Sequence, residues 1–460
     1  MDARKVFFVS LGCPKNQVDT EVMLGVVRDG GHQVVDSAEE ADTLVVNTCG
    51  FIEAAKEESI DTILELADAK RGTGKKLVVA GCLSQRYPTE LAAEMPEVDH
   101  FLGSADMLGL AKVLGGGGKR LGVSELSKRA YLYDHETPRE LTGVRHTAYV
   151  KIAEGCDRPC GFCIIPKLRG AQRSRTVFSV VQEVHALVAA GTKEVCLVAQ
   201  DLTRYGSDLE TPTNLEQLLD ALVEVEGLEW IRLHYAYPSA VTDGLIERIA
   251  SQPKIATYLD VPMQHLDTDV LKVMRRGYTE RTVVELAEKL RNAQTSAGQR
   301  LWLRTTMLVG HPGETPEAYA RLKDFVARGL IDHLGVFPWS REDGTVSAMQ
   351  PRRVDEELAA ERAAELMAMQ EAIRAERHAA MVGQQIRVLV DGPSSESELL
   401  LDGRHEGQAP EIDGKVVLTD GTAQRGDMVM ATITQASAHD LVASLDPDAA
   451  AEAIDLARDA

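Results

Sequence analysis

Glu154 to Gly170 read EGCDRPCGFCIIPKLRG, a stretch with three closely spaced cysteines. Cys156, Cys160 and Cys163 follow a C-x3-C-x2-C pattern, and Phe162 directly precedes the third cysteine. Three such thiolates can ligate three irons of a four-iron, four-sulfur cluster, whose usual ligands are cysteines. The fourth iron is left without a cysteine, so it is free to bind a substrate or a cofactor. The pattern therefore predicts an iron–sulfur cluster at which chemistry takes place.

Zinc and disulfides are the alternative uses of clustered cysteines. A structural zinc site needs four protein ligands, commonly in C-x2-C pairs, and the next cysteine downstream is only Cys196. A disulfide needs an oxidising compartment and a geometry that such tight spacing rarely gives. Both alternatives stay open at this point, but the spacing favours an iron–sulfur cluster.

The same run resembles the signature of the radical S-adenosylmethionine enzymes, in which an aromatic residue stands before the last cysteine of the triplet. The resemblance implies that S-adenosylmethionine binds the open iron. It also implies that this cofactor is cleaved reductively to a 5′-deoxyadenosyl radical.

The composition limits the classes of protein to which the chain can belong. Its 460 residues predict about two to four domains. The N-terminus does not look like a signal peptide, and no apolar run approaches the roughly 18 residues of a membrane span. With seven cysteines, this predicts a cytoplasmic protein without membrane contact. The net charge of −21 argues against direct nucleic-acid binding and leaves room for a basic protein partner.

Short apolar runs alternate with amphipathic stretches in the first part of the chain, assigned to residues 1–140. VFFVS, TLVVNTC, LVVAGC and HFLGS are the predicted strands of an N-terminal parallel α/β sheet. The predicted helices lie at about 17–30, 52–70, 86–95 and 105–114.

The rest of the chain predicts two further domains and a tail. Residues 141–378 repeat the β-α rhythm with six strands, which predicts a partial TIM-type (β/α) barrel with functional residues at the strand C-termini. A long helix is expected at 355–380. Short strands separated by Gly and Asp turns predict a small all-β sandwich or barrel over 379–446. The tail, 447–460, is rich in Ala and Asp.

A second set of cysteines follows three predicted strands of the N-terminal sheet. Cys13, Cys49 and Cys82 stand in VSLGCPKNQVD, LVVNTCGFI and VVAGCLSQR. Ligands gather at the carboxyl ends of strands in a parallel sheet, so these cysteines are expected to converge. Each could instead be a small buried residue, as is common for cysteine. Three such placements favour a shared metal site.

With both sets, the chain resembles the methylthiotransferase family over nearly its whole length. The resemblance implies a second four-iron cluster on Cys13, Cys49 and Cys82, a radical cluster on the central triplet, and a C-terminal TRAM-type β-barrel. Several segments resemble the RimO branch, which modifies an aspartate of small-subunit ribosomal protein twelve: SLGCPKNQVDTE, VVNTCGFIEAAKEES, AQDLTRYG and APEIDG. A branch that modifies transfer-RNA adenosine usually has Gln-Met-Asn where this chain has Pro14-Lys15-Asn16.

These implications define the expected function and two alternatives. The expected enzyme replaces a C–H bond at the β-carbon of an aspartate by C–SCH3, using two four-iron clusters and S-adenosylmethionine. Its expected partners are a ribosomal protein or the ribosome and an electron donor such as a flavodoxin-type reductant. The alternatives are the same reaction on transfer RNA, and a non-enzymatic electron carrier with two clusters.

Candidate cofactor-binding residues lie mostly at strand ends of the central domain. LVGHPGET resembles the G-x-P-G-E element that lies beside S-adenosylmethionine in relatives, most of which have Phe in place of His311. The predicted contacts are Phe162, Gln200, Asp201, Gln264, His265, Gly310, Gly313 and Glu314. Lys167 and Arg169 are read as solvated surface residues that could meet an acidic substrate group.

The C-terminal module is acidic. Met381 to Leu445 contain four Arg or Lys and ten Asp or Glu, a difference of −6. An RNA-binding module should be basic, whereas an acidic one suits a basic ribosomal protein. These charges could equally be an ordinary solvated surface.

Overall fold

The structure is a computed structural model, and it describes residues 3–126, 131–296, 298–351 and 353–445. The predicted tail lies outside the described residues. Within these ranges no helix is long and apolar enough to cross a membrane.

The N-terminal part forms a six-stranded, wholly parallel sheet in the order β2-β1-β3-β4-β5-β6. Its strands are β1 (Lys5–Ser10), β2 (Gln33–Val34), β3 (Thr43–Thr48), β4 (Lys76–Gly81), β5 (His100–Leu102) and β6 (Leu121–Gly122). Its helices are α1 (Pro14–Asp29), α2 (Glu53–Lys70), α3 (Cys82–Arg86), α4 (Pro88–Glu94) and α5 (Gly109–Leu114). Every residue of β3 is buried, as expected for a strand with helices on both faces.

Two helices of the N-terminal domain differ in the structure from the bounds that the sequence predicts. The single helix expected at 86–95 is two helices, because Pro88 disfavours helical backbone at Tyr87 before it. The helix expected from about 105 begins only at Gly109.

The central part is an open, parallel six-stranded sheet in the order β14-β13-β12-β11-β10-β7, with a two-stranded antiparallel pair β8-β9 beside it. Its strands are β7 (Thr147–Lys151), β8 (Ala153–Glu154), β9 (Arg173–Ser174), β10 (Glu194–Val198), β11 (Trp230–Leu233), β12 (Ile255–Asp260), β13 (Trp302–Val309) and β14 (His333–Pro338). The strand order never reverses or closes, which confirms the partial barrel.

Eight helices lie between or after these strands in the described part of the central domain. They are α6 (Ile165–Arg169), α7 (Val177–Ala189), α8 (Leu215–Leu222), α9 (Asp243–Ser251), α10 (Thr268–Val273), α11 (Glu280–Asn292), α12 (Pro316–Ala327) and the long α13 (Glu356–Ala379). Short 3-10 turns lie at Leu202–Arg204, Pro238–Ala240 and Ser347–Met349. Side chains of Asn214, Thr242, Asp267 and Asp355 cap helices by accepting backbone N–H bonds, which fixes where each begins.

The C-terminal module is a closed five-stranded barrel in the order β15-β16-β17-β19-β18, so the sandwich alternative is wrong. Its strands are β15 (Gln385–Pro393), β16 (Leu401–His405), β17 (Val416–Leu418), β18 (Met428–Ala436) and β19 (Leu441–Leu445). Its hydrophobic core continues into Tyr258 and Trp302 of the central sheet. The buried ion pair between Arg404 and Glu194 crosses the same boundary at 2.7 Å. The barrel is therefore packed onto the central domain rather than tethered to it.

Candidate active site between the two cysteine sets

The N-terminal cysteine set, Cys13, Cys49 and Cys82, lies at one edge of the first sheet. Each cysteine follows the end of β1, β3 or β4, and these three strands are neighbours in the sheet. Because the strands are parallel, their carboxyl ends lie at the same edge. The structure therefore brings together three cysteines that are far apart in the sequence.

The central cysteine set, Cys156, Cys160 and Cys163, lies on the loop between β8 and α6 and faces the first set. All six cysteines line one cavity of about 360 Å³, called here the central cavity. None of the seven cysteines is bonded to another cysteine in the structure. Cys196 is fully buried in β10 and does not line the cavity.

N–H groups point at three of the cavity's sulfurs. Arg276 Nη1 lies 3.1 Å from Cys160 Sγ, Arg169 Nε lies 3.2 Å from Cys82 Sγ, and a backbone N–H reaches Cys156 Sγ at 3.4 Å. Such bonds stabilise thiolates that ligate iron and tune a cluster's reduction potential.

Burial raises the pKa of the Cys82 and Cys163 thiols to about 12 and that of Cys156 to about 11. The thiols without metal therefore keep their protons at neutral pH, and binding of iron would release them. Among the described residues, no three or more His, Cys, Asp or Glu side chains are close enough together to hold a single metal ion. The cysteines instead line a cavity, with three thiols from each set, and N–H groups reach sulfurs of both sets. Three cysteine thiols per set are a ligand set that fits an iron–sulfur cluster.

Arg169 joins the two halves of the site, and its reading as a surface residue is wrong. Its side chain is only 2 % exposed. Besides the bond to Cys82, its guanidinium donates to Asn16 Oδ1 at 2.6 Å and pairs with Asp19, both from the N-terminal domain. It also lies 3.2 Å from Glu154 Oε2 of the central domain. Lys167, in contrast, is exposed and donates to the Gly344 carbonyl.

Lys15 contributes another cation to the central cavity; in the sequence it was named only within Pro14-Lys15-Asn16, and no contact was predicted for it. The residue is 9 % exposed, and its Nζ lies 3.6 Å from the centroid of the Tyr235 ring. Burial opposes the ammonium charge, but Tyr235 and Cys13 outweigh it and hold the pKa of Lys15 above its usual value. Tyr235 has φ 68, a left-handed conformation that is costly for a non-glycine residue.

Four of the eight predicted cofactor contacts line the central cavity: Phe162, Gln200, Asp201 and Gln264. Gln200 donates to Glu154 Oε1 at 2.9 Å, and Asp201 accepts from Arg158 Nε at 2.6 Å. Gln264, like Tyr235, has φ 68.

The other four predicted contacts, His265, Gly310, Gly313 and Glu314, do not line this cavity. His265 is fully buried, and its Nε2 lies 3.4 Å from Glu314 Oε2. Glu314 accepts the Gly310 N–H and pairs with Arg362 of α13. A Cβ on Gly310 would lie 2.4 Å from that of Ala359, so only glycine fits there. These residues hold the turn after β13 against α13, and a direct cofactor contact from them stays a prediction.

His311 supports the cavity wall from behind. It is fully buried, and its Nε2 lies 2.8 Å from Ser347 Oγ. Its ring meets that of Phe162 edge-on, with centroids 6.4 Å apart. Burial lowers the pKa of His311 to about 4, so its ring is neutral at neutral pH.

A larger groove, called here the outer groove, adjoins the central cavity at Cys13, which lines both. Its volume is about 760 Å³, and all three domains contribute to its walls. Its charged lining residues are Glu21, Asp391, Asp402, Arg404, Glu411, Lys415 and Asp440. Carboxylates outnumber cations five to two in this set, so the groove is acidic.

Comparison with known proteins agrees with this architecture. Residues 5–103 match the uncharacterized protein family UPF0004, residues 150–326 the radical SAM superfamily, and residues 382–445 the TRAM domain. The radical S-adenosylmethionine methyltransferase TsrM from Kitasatospora setae, solved with cobalamin and a [4Fe-4S] cluster, shares the fold. It has a TM-score of 0.56 at 16% identity, covering 76% of this chain and 74% of that one.

Full-length relatives are much more similar. The ribosomal protein uS12 methylthiotransferase RimO of Sorangium cellulosum (strain So ce56) is 48% identical, covering 97% of this chain and 91% of the relative. The protein of the same name from Anaeromyxobacter sp. (strain K) is 47% identical, covering 98% and 95%. This similarity does not favour the transfer-RNA branch or a non-enzymatic carrier. The chain belongs to the RimO family of radical S-adenosylmethionine methylthiotransferases.

Proposed function

We propose that this protein transfers a methylthio group to the β-carbon of an aspartate in ribosomal protein uS12. The observation that carries the proposal is that six cysteines from two domains line one cavity. Two metal centres on one cavity would allow sulfur delivery and hydrogen abstraction to take place at the same substrate atom. The protein's part is to place and shield these groups.

Each cysteine set would hold one four-iron cluster with one open iron. The central set, with Phe162, Gln200, Asp201 and Gln264 beside it, would also bind S-adenosylmethionine. When bound, these groups would supply a carbon radical, formed by reductive cleavage of S-adenosylmethionine, that accepts the hydrogen atom, and the methylated sulfur that takes its place. Arg276 and Arg169 would donate N–H bonds to ligand sulfurs on the two sides of the cavity.

The outer groove would admit the substrate. Ribosomal proteins are generally basic because they neutralise RNA phosphates, and the carboxylates of the groove would attract such a segment. Cys13 stands where the groove meets the central cavity, so a loop lying in the groove could extend its tip to the cysteines. A flavodoxin-type protein would supply electrons. We assign the N-terminal cluster domain to residues 1–140, the radical S-adenosylmethionine domain to residues 141–378 and the β-barrel to residues 379–446.

Anaerobic incubation with S-adenosylmethionine, a reductant and purified uS12 tests the function. The expected result is a mass gain of one methylthio group in place of hydrogen, located on an aspartate by fragmentation. The matched control is the variant in which the N-terminal cysteine set is replaced by Ala, which should leave uS12 unmodified. Modification of transfer RNA with untouched uS12 would contradict the proposal.

A further inference from the structure

Lys15 forms no ion pair in the wall of the central cavity. Within the ranges that the structure describes, its Nζ makes no hydrogen bond, and it lies 3.6 Å from the centroid of the Tyr235 ring. A buried ammonium is costly unless it is paired and hydrogen-bonded. A cation–π contact replaces only part of the lost hydration. The site is therefore built to receive an anion.

The other cations that line the cavity already have partners. Arg158 pairs with Asp201 at 2.6 Å. Arg169 pairs with Asp19 and Glu154. Arg276 donates to the Tyr278 hydroxyl and to the Pro262 carbonyl as well as to Cys160. Among the cavity residues that the structure describes, Lys15 is thus the cation left to bind a ligand.

The position of Lys15 points to the substrate as the source of that anion. Lys15 is two residues from Cys13, which lies at the junction of the outer groove and the central cavity. A segment that enters along the groove reaches this end of the cavity first. The groove before it is acidic and suits a basic segment, whereas a carboxylate at the tip of that segment needs a cation beyond the groove.

The conformation of Tyr235 indicates that this arrangement is maintained at a cost. Its φ of 68 is unfavourable for a residue with a Cβ, and strained backbone of this kind clusters at functional sites. The strained residue is the one whose ring lies under the Lys15 ammonium. The fold therefore keeps the Tyr235 ring where it positions the Lys15 charge.

We propose that Lys15 binds the side-chain carboxylate of the substrate residue, an inference that rests on the proposed function. The β-carbon of an aspartate is bonded directly to that carboxyl carbon. A hydrogen bond from Lys15 to the carboxylate therefore fixes the C–H bond that reacts, between the two cysteine sets. It also selects an aspartate over neutral residues of the same shape.

Peptide binding to the reconstituted protein tests the inference without relying on turnover. Fluorescence anisotropy under anaerobic conditions compares a uS12 loop peptide that carries the aspartate with the same peptide carrying asparagine. The unaltered protein should bind the aspartate peptide about 10- to 100-fold more tightly, the range for a hydrogen bond to a charged group. Lys15→Gln should bind both peptides equally weakly, and Lys15→Arg should retain the preference.

Lys167→Gln is the matched control, because Lys167 is exposed and donates only to a backbone carbonyl, and it should bind like the unaltered protein. Iron content is measured for each variant. Equal affinity of the unaltered protein for the two peptides would overturn the inference even if Lys15→Gln lost its iron. A preference kept by Lys15→Gln would also overturn it.

The methionine end of S-adenosylmethionine is the other possible source of a carboxylate. If Lys15→Gln weakens binding of S-adenosylmethionine and leaves peptide binding unchanged, Lys15 serves the cofactor and the inference is wrong. A protein that prefers the aspartate peptide yet never modifies it, with both clusters present, would contradict the proposed function and leave the carboxylate site standing.

Discussion

Arg169 links the N-terminal and central domains through charge, and its replacement by Met should loosen that link. The substitution removes a guanidinium that serves Asp19, Asn16, Cys82 and Glu154 at once. Burial alone would raise the pKa of Glu154, but Lys151 and Arg169 hold it well below its usual range. Glu154 is therefore ionised in the folded protein. Removing one partner of such a buried network costs about 3–5 kcal/mol, because it leaves a charge without compensation.

Urea unfolding of iron-free protein, followed by circular dichroism, measures this cost. Arg169→Met should lower the free energy of unfolding by about 3–5 kcal/mol, whereas Lys167→Met, on the exposed side of the same short helix, should stay within about 0.5 kcal/mol. Combining Arg169→Met with Asp19→Asn should recover about 0.5–3 kcal/mol, because the second change removes a stranded charge. A loss below about 1 kcal/mol for Arg169→Met, or strict additivity in the double variant, would refute the reasoning.

Three further predictions concern the cysteines, the outer groove and acid stability. Replacing the central cysteine set by Ala should lower the iron content from about eight to about four per chain and abolish formation of 5′-deoxyadenosine. Replacing the N-terminal set should leave cleavage of S-adenosylmethionine intact. If the variant without the central set still cleaves S-adenosylmethionine, the assignment of the radical cluster to that set is wrong. Glu411→Lys should raise the KM for uS12 about 3- to 10-fold at low salt and less at about 0.5 M salt, because screening weakens steering; an equal effect at both salts would exclude steering. Burial lowers the pKa of His311 and His378 to about 4, so the unfolded chain binds more protons between about pH 6.5 and 4. Stability should fall as pH drops through that window, by up to about 1.4 kcal/mol per pH unit for each histidine, and His311→Phe should make the fall shallower in denaturation curves; an unchanged slope would contradict the assignment.

The N-terminal cysteine set could be predicted to converge because one local rule governs it. A β-α rhythm gives parallel strands, and Cys13, Cys49 and Cys82 each stand at a strand's carboxyl end. The rule needs no knowledge of distant contacts. The face-to-face placement of the two cysteine sets does depend on such contacts, because α1 packs against β7 of the other sheet. No spacing in the sequence encodes that packing.

Single side chains were harder to predict than elements. Arg169 ends the short helix IPKLR, where a charged residue looks like surface, and its buried ion pair is with Asp19, 150 positions away in the sequence. His265 follows a strand and was expected to face the cavity. Gln264 before it has φ 68, and beyond this left-handed residue the His265 side chain is buried in the interior, whereas Gln264 lines the cavity. A non-glycine residue in this conformation leaves no signal in the sequence.

The acidic charge of the C-terminal barrel suggests a role in substrate recognition, but it gives no sign that the barrel also packs against the central domain. As an acidic appendage it could be deleted to test substrate binding. In the structure, the Tyr258 hydroxyl donates to Asp413 at 2.7 Å and Arg404 lies buried against Glu194, so deletion would leave polar groups of the central sheet unpaired. Loss of activity after truncation would then report unfolding as much as lost recognition. Glu411, exposed on the groove wall, can be changed without touching that boundary, so point substitutions there separate substrate recognition from stability.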